Sequence, residues 1–207
     1  MDFDRPPPGE EINQTGEETV PRQAASVILL RGGGDALELL LVKRTPKARF
    51  MADVWVFPGG AVDGPANDDE AHRATAVREL EEEACVTLPN PDQLVPFSRW
   101  ITPAQVKIRY DTRFYLAHAP AHSSAAPDGE EIVEVRWFGP AEALDLHRAG
   151  EIQLVFPTIK QLETLARFGS PEEAMETIGK LAVEPILPKV DTSGPEPRIL
   201  LPGDPGY

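Results

Sequence analysis

Arg78, Glu79, Glu81, Glu82 and Glu83 crowd one short segment, and the chain has to be built around them. They close the stretch 59–86, GGAVDGPANDDEAHRATAVRELEEEACV. Asp68 and Asp69 stand where a helix N-cap is expected, so a helix should run from there to Ala84. At roughly 100° per residue, Glu79, Glu82 and Glu83 fall within about a 100° arc. Val77, Leu80 and Ala84 fall on a neighbouring arc and can face a core, while Glu81 points away to solvent. Like charges at these spacings repel by a few tenths of a kcal/mol per pair. A hard divalent cation between them reverses that sign. Mg²⁺ takes carboxylate oxygens, keeps waters and bridges to phosphates, and Mn²⁺ is the other candidate. Such an ion polarises a phosphoryl oxygen and lowers the pKa of a bound water. Arg78 can hold one carboxylate in place by a two-pronged contact. The bland alternative for a glutamate run is a solvated helix face.

The rest of the composition narrows the setting. With 207 residues and 41% hydrophobic content the chain can bury one proper core. A net charge of −14 repels nucleic-acid backbones, so no nucleic-acid partner is expected. A small nucleotide substrate stays open, because bound metal inverts the sign of an acidic site. The single cysteine, Cys85, allows no internal disulfide, as in a reducing compartment. No basic segment precedes an apolar run at the N-terminus, and the apolar runs at 27–30 and 39–42 are too short to span a bilayer. These point to a cytoplasmic protein without a membrane partner.

Residues 1–22 are acidic, carry three consecutive prolines and read as a mobile tail; 23–182 read as the folded domain. Residues 183–207 are proline-rich, but Ile199, Leu200 and Leu201 need cover. This extension should pack on the domain or on a second subunit, which would make a homodimer. Strands are expected at 24–30 and 37–43, joined as a hairpin through Gly32-Gly33-Gly34-Asp35. A basic loop at 45–53 leads to a short strand, 54–57, and a turn at Pro58-Gly59-Gly60. Further strands are expected at 95–101, 113–118 and 132–138, the last with Val133, Val135 and Trp137 on one face, and helices at 140–148, 158–168 and 171–181.

Gly64, five residues, Glu70, seven residues, then Arg78-Glu79-Leu80-Glu81-Glu82-Glu83-Ala84-Cys85-Val86 resembles the signature of the Nudix hydrolase family. Every fixed position matches except the last glycine, which is Cys85 here. Glycine past a helix end takes the left-handed conformation, so Cys85 is expected to bend the helix exit slightly. The first glycine is Gly64, or Gly60 with a short insertion. The resemblance implies an α+β fold, the Nudix α/β/α sandwich, with a mixed sheet and the catalytic helix after the Pro-Gly-Gly turn. It implies metal-dependent hydrolysis of a nucleoside diphosphate linked to a second group. Glu79, Glu82 and Glu83 are then the metal ligands with the Gly60 carbonyl, Arg78 the orienting partner and Glu70 a supporting residue. A glutamate from a later loop completes such sites as base, and Glu130 and Glu131 are the candidates.

Upstream, Arg44 and Arg49 are spaced like the paired arginines of the coenzyme A diphosphatase branch, although Asp53 stands where glycine is usual. Both could grip phosphate oxygens. Trp100-Ile101-Thr102-Pro103, the segment Tyr110 to Tyr115, Val135-Arg136-Trp137 and the closing Leu201 to Tyr207 resemble peroxisomal-type members of that branch and their bacterial relatives. The resemblance therefore implies coenzyme A or an acyl-CoA as substrate. An ADP-ribose or dinucleotide pyrophosphatase and a nucleotide-sensing module without turnover are the rivals. Trp100, Tyr110, Phe114 and Trp137 can stack on a base or fill the core.

Overall fold

The computed structural model describes residues 13, 18–32, 36–48, 51–64, 67–121, 123–191, 193 and 198–207. The sequence alternates small and branched apolar residues through β1 (Arg22–Arg31), and this strand is buried on both faces. Successive strand side chains point to opposite faces. Ala25, Val27 and Leu29 pack on one side and Ile28 and Leu30 on the other. The first side is covered by α1 (Asp69–Ala84) through Ala76, Leu80 and Ala84. The second is covered by α2 (Pro140–Arg148), α3 (Phe156–Leu165) and α4 (Pro171–Ile178) through Leu144, Ile159, Leu162, Leu165 and Ile178. The result is an α/β/α sandwich around a mixed sheet.

β1 pairs in parallel with β6 (Tyr110–His118) along its length, from Arg22 to Leu30. Its other edge is divided. β2 (Glu38–Arg44) meets it antiparallel only at Leu30↔Leu39 and Arg31↔Glu38. The two strands then splay, so the expected hairpin is right in direction but paired over two residues. Into the gap run β3 (Trp55–Val56), paired with β2, and β4 (Gly59–Ala61), paired with β1. Pro58 separates them, having no N–H for either ladder. Its carbonyl accepts from the Val27 N–H (3.0 Å) and the Ser26 hydroxyl (2.6 Å).

Gly59 and Gly60 are therefore strand residues rather than a turn. Neither has a positive φ; they are glycine because of what lies against them. A Cβ on Gly59 would stand 2.5 Å from the Ala25 carbonyl oxygen.

The sheet continues through β5 (Val95–Ile101), antiparallel to β6, while β7 (Ile132–Phe138) lies on the outer edge of β2. A bulge corrects the expected alternation of β7. The register passes from Lys43↔Glu134 to Arg44↔Ile132, leaving Val133 unpaired. Ile132 (0% exposed), not Val133 (42%), joins Val135 and Trp137 beneath α1.

α3 starts at Phe156, two residues earlier than expected, because Pro157 suits a first helical turn. α4 stops at Ile178 on Gly179. The extension adds β8 (Pro185–Ile186), parallel to β5, and a two-stranded ribbon of β9 (Lys189–Asp191) and β10 (Arg198–Leu200). From the N-terminal segment, Glu18 and Thr19 meet the buried Arg109, whose Nη1 donates to Glu18 Oε1 (2.6 Å) and to the Thr19 carbonyl (2.7 Å). No helix among the described residues is long and apolar enough to cross a membrane.

Candidate active site

α1 is fixed at both ends. Asp68 caps it by accepting the Ala71 N–H (2.8 Å), and the Tyr115 hydroxyl donates to Asp69 Oδ1 (2.8 Å). At the other end Cys85 itself takes the left-handed conformation (φ 55°, ψ 31°). Its N–H reaches the Glu81 carbonyl at 3.0 Å and the Val86 N–H reaches that of Leu80 at 3.5 Å. The glycine-type closure thus forms without glycine, at the cost of local backbone strain. A left-handed Cβ residue costs on the order of 1–2 kcal/mol. Cys85→Gly is therefore expected to stabilise the fold by about 0.5–1 kcal/mol after glycine's larger chain entropy is subtracted. Thermal melting should show a rise of roughly 1–4 °C with turnover unchanged.

With the helix so placed, Glu79, Glu82 and Glu83 all reach one cavity of about 700 Å³. Glu83 is 4% exposed and accepts the Gly59 N–H at Oε2 (2.9 Å). Burial pushes its carboxyl up to about 8; the Gly59 hydrogen bond and Arg44 oppose this, and Glu79 and Glu131 add to it. Burial also raises the Glu79 carboxyl against the pull of Arg78, with Glu82 and Glu131 reinforcing burial. Arg78 forks between the acids: Nη2 donates to Glu79 Oε1 (2.7 Å), Nη1 to Glu82 Oε2 (2.5 Å). Asp63, absent from the sequence reading, is a third partner at 3.6 Å. Glu81 stays outside, exposed and bonded to the Thr87 hydroxyl (3.2 Å).

The two candidate glycines separate cleanly. Gly60 abuts Glu79: a Cβ there would stand 2.2 Å from Glu79 Oε1. Gly64 has φ +73° and open space around it, so it serves the turn. Glu70 is exposed in the first turn of α1 and does not line the cavity.

Glu130 and Glu131 both line the cavity. Their loop is folded by Asp128, whose Oδ1 accepts the N–H groups of Glu130 (2.9 Å), Glu131 (3.1 Å) and Ile132 (2.9 Å). Glu131 is the one whose charge raises both Glu79 and Glu83. Its carbonyl accepts the Thr45 N–H (2.8 Å), tying the loop to Arg44. Arg44 lines the cavity, and its Nε is buried without a hydrogen-bond partner among the described residues. Arg49 lies outside the described residues. Asp53 has φ +60°, which is why glycine suits that position. Trp100, Tyr110 and Phe114 line the cavity, whereas Trp137 lies under Arg31 (4.1 Å to the ring centre).

Among the described residues no three His, Cys, Asp or Glu side chains already form a metal-holding group; Arg78 draws Glu79 and Glu82 together and Glu83 turns to Gly59. The donor set nevertheless fits a hard cation. Five carboxylates, those of Glu79, Glu82, Glu83, Glu130 and Glu131, line one cavity with two guanidinium groups, Arg44 and Arg78. An anionic substrate could approach such a wall only with added positive charge.

A mixed sheet between helices, with an acidic helix facing a glycine strand, places the chain among Nudix-type α/β/α domains. A family model described as the NUDIX domain matches residues 20–156, and the chain belongs to that family. It is 30% identical to putative nudix hydrolase 7 of Caenorhabditis elegans, over 70% of this chain and 61% of that protein. The chain thus spans about three fifths of that relative's length. It is 24% identical to the acyl-coenzyme A diphosphatase NUDT19 of Gallus gallus, over 90% of this chain and 79% of that one. The crystal structure of a NUDIX hydrolase from Alicyclobacillus acidocaldarius superposes with a TM-score of 0.69 at 26% identity, covering 77% of this chain and 97% of that one.

Proposed function

We propose that the chain is a divalent-metal-dependent diphosphatase that hydrolyses the pyrophosphate bond of a nucleoside diphosphate joined to a second group, with coenzyme A or an acyl-CoA as substrate. The observation that carries this is the set of five glutamates that line one cavity together with Arg44 and Arg78. Glu79, Glu82 and Glu83, with the Gly60 carbonyl, would hold Mg²⁺ or Mn²⁺. When bound, such ions neutralise phosphoryl oxygens and acidify a water. Arg78 positions Glu79 and Glu82. Arg44, whose buried Nε has no partner among the described residues, would take a phosphate oxygen, and Arg49 is assigned the same role. Glu131, with Glu130 beside it, accepts a proton from the attacking water.

In the reaction the water oxygen bonds to one phosphorus, the bridging P–O bond breaks, and each product leaves with a terminal phosphate. From coenzyme A these are adenosine 3′,5′-bisphosphate and phosphopantetheine. The relative of Gallus gallus, an acyl-coenzyme A diphosphatase, supports the choice of substrate.

Turnover of coenzyme A, ADP-ribose, NADH and dinucleoside polyphosphates should be measured with Mg²⁺ and with Mn²⁺, identifying products. Coenzyme A thioesters are expected to give the highest kcat/KM, and chelation should abolish it. Faster turnover of ADP-ribose would overturn the substrate assignment, and binding without hydrolysis would overturn the enzymatic one.

A further inference from the structure

The family match ends at residue 156, yet the cavity does not. The strand order runs β1-β6-β5-β8 with β4 on β1, so the C-terminal extension lies three strands from β4, and Pro188, Val190 and Ile199 of that extension line the cavity. Val190 and Ile199 are directly opposed across the β9–β10 ribbon. Directly opposed residues of an antiparallel pair share a face, so both turn their aliphatic groups to the cavity. The ribbon is held from its other side. Arg198 Nη2 meets Asp191 Oδ2 at 2.7 Å, Lys189 Nζ stands 4.0 Å from the centre of the Tyr207 ring, and the Tyr207 hydroxyl donates to the Leu187 carbonyl (2.8 Å). β8 ties the extension to the sheet through Trp100↔Ile186. Trp100, edge-on to Phe156 at 6.1 Å, and Val106 and Phe114 line the same cavity. Thr102 is engaged with the Tyr110 main chain, its Oγ1 accepting the Tyr110 N–H at 3.0 Å.

We propose that the β9–β10 ribbon is a substrate-selecting wall that takes an apolar chain carried at the end of the substrate remote from the scissile diphosphate, which makes a medium-chain acyl thioester of coenzyme A a better substrate than coenzyme A itself. The proposal rests on the diphosphatase reading above. The acids and arginines come from α1, β2 and the Asp128 loop and the aliphatic wall from beyond β8 at the far edge of the strand order, yet both line one cavity, so one ligand must carry both chemistries. Among the described residues the extension lines the cavity with Pro188, Val190 and Ile199, all apolar, and branched side chains favour an alkyl chain.

The test is a chain-length series, from coenzyme A through acetyl- and butanoyl- to octanoyl-CoA, on the full chain with Mg²⁺. Each methylene that reaches the wall should raise kcat/KM by about fourfold until the cavity is filled, through KM. In Val190→Thr/Ile199→Thr and in Ile199→Asp the octanoyl-to-coenzyme A ratio of kcat/KM should fall about tenfold or more. Circular dichroism checks the fold, and the wild-type series stands without the variants. A flat series, or an unchanged octanoyl-to-coenzyme A ratio in folded variants that still turn over coenzyme A, overturns the wall alone. A wild-type chain that cleaves ADP-ribose and no coenzyme A compound overturns the substrate reading and the wall with it.

Discussion

Glu82→Gln is expected to lower metal-dependent diphosphate hydrolysis by about 10²–10³-fold, on the order of 3–4 kcal/mol of transition-state stabilisation. Glu82 projects into the cavity from the last turn of α1, and its partner is Arg78. The amide removes the charge and keeps the shape, so loss of turnover reports the charge. Stability should barely move, because an exposed ion pair contributes at most about 1 kcal/mol, and the Glu82 side chain is 56% exposed. Glu81→Gln is the control: one residue away, it points at Thr87 outside the cavity and should keep turnover within about twofold. The measurements are kcat and KM across a Mg²⁺ titration, with melting temperature alongside. Full activity of Glu82→Gln at saturating Mg²⁺ would remove Glu82 from the site.

The acidic helix was legible because it is local. Helical spacing alone separates Glu79, Glu82 and Glu83 from Glu81, and Asp68 and Ala84 mark the ends that the structure shows. What escaped depends on strands far apart in sequence. β1 and β2 carry the apolar pattern of a hairpin, but the insertion of 55–61 between them is a property of four strands together. Val133 looks like a core residue from its alternation, and only the register against Lys43 and Arg44 shows it to be the unpaired one. The C-terminal ribbon was legible as apolar residues needing cover, through Ile199 to Leu201, but not as a wall of the cavity. That requires β8 to lie along β5, about 85 residues away. Asp63 and Asp128 gave no signal: one acts on Arg78 across a turn, the other by folding a loop rather than by facing a ligand.

Gly59→Ala and Gly60→Ala are expected to fail in opposite ways, although they are neighbours on β4. At Gly59 the new methyl would stand 2.5 Å from the Ala25 carbonyl oxygen, 2.6 Å from Ser26 Cβ and 2.7 Å from Ser26 Cα. Two of these are backbone atoms of β1 and cannot move without breaking the β1–β4 ladder and the Pro58 contacts. Overpacking of this kind costs about 1–3 kcal/mol or more, so the melting temperature should fall by roughly 4–10 °C. At Gly60 the methyl would meet Glu79 Oε1 at 2.2 Å and its carboxyl carbon at 2.4 Å. That is the far end of a flexible side chain, so the fold yields cheaply by rotating Glu79 away. The melting temperature should shift by no more than about 2 °C. Turnover, however, should fall by about 10²-fold, because a carboxylate moved by about 1 Å no longer meets the reacting group. Calorimetry and steady-state kinetics on the two proteins separate these outcomes. A Gly60→Ala enzyme with wild-type kcat would show that Glu79 is not needed where the structure places it, and would leave Glu82 and Glu83 to carry the site.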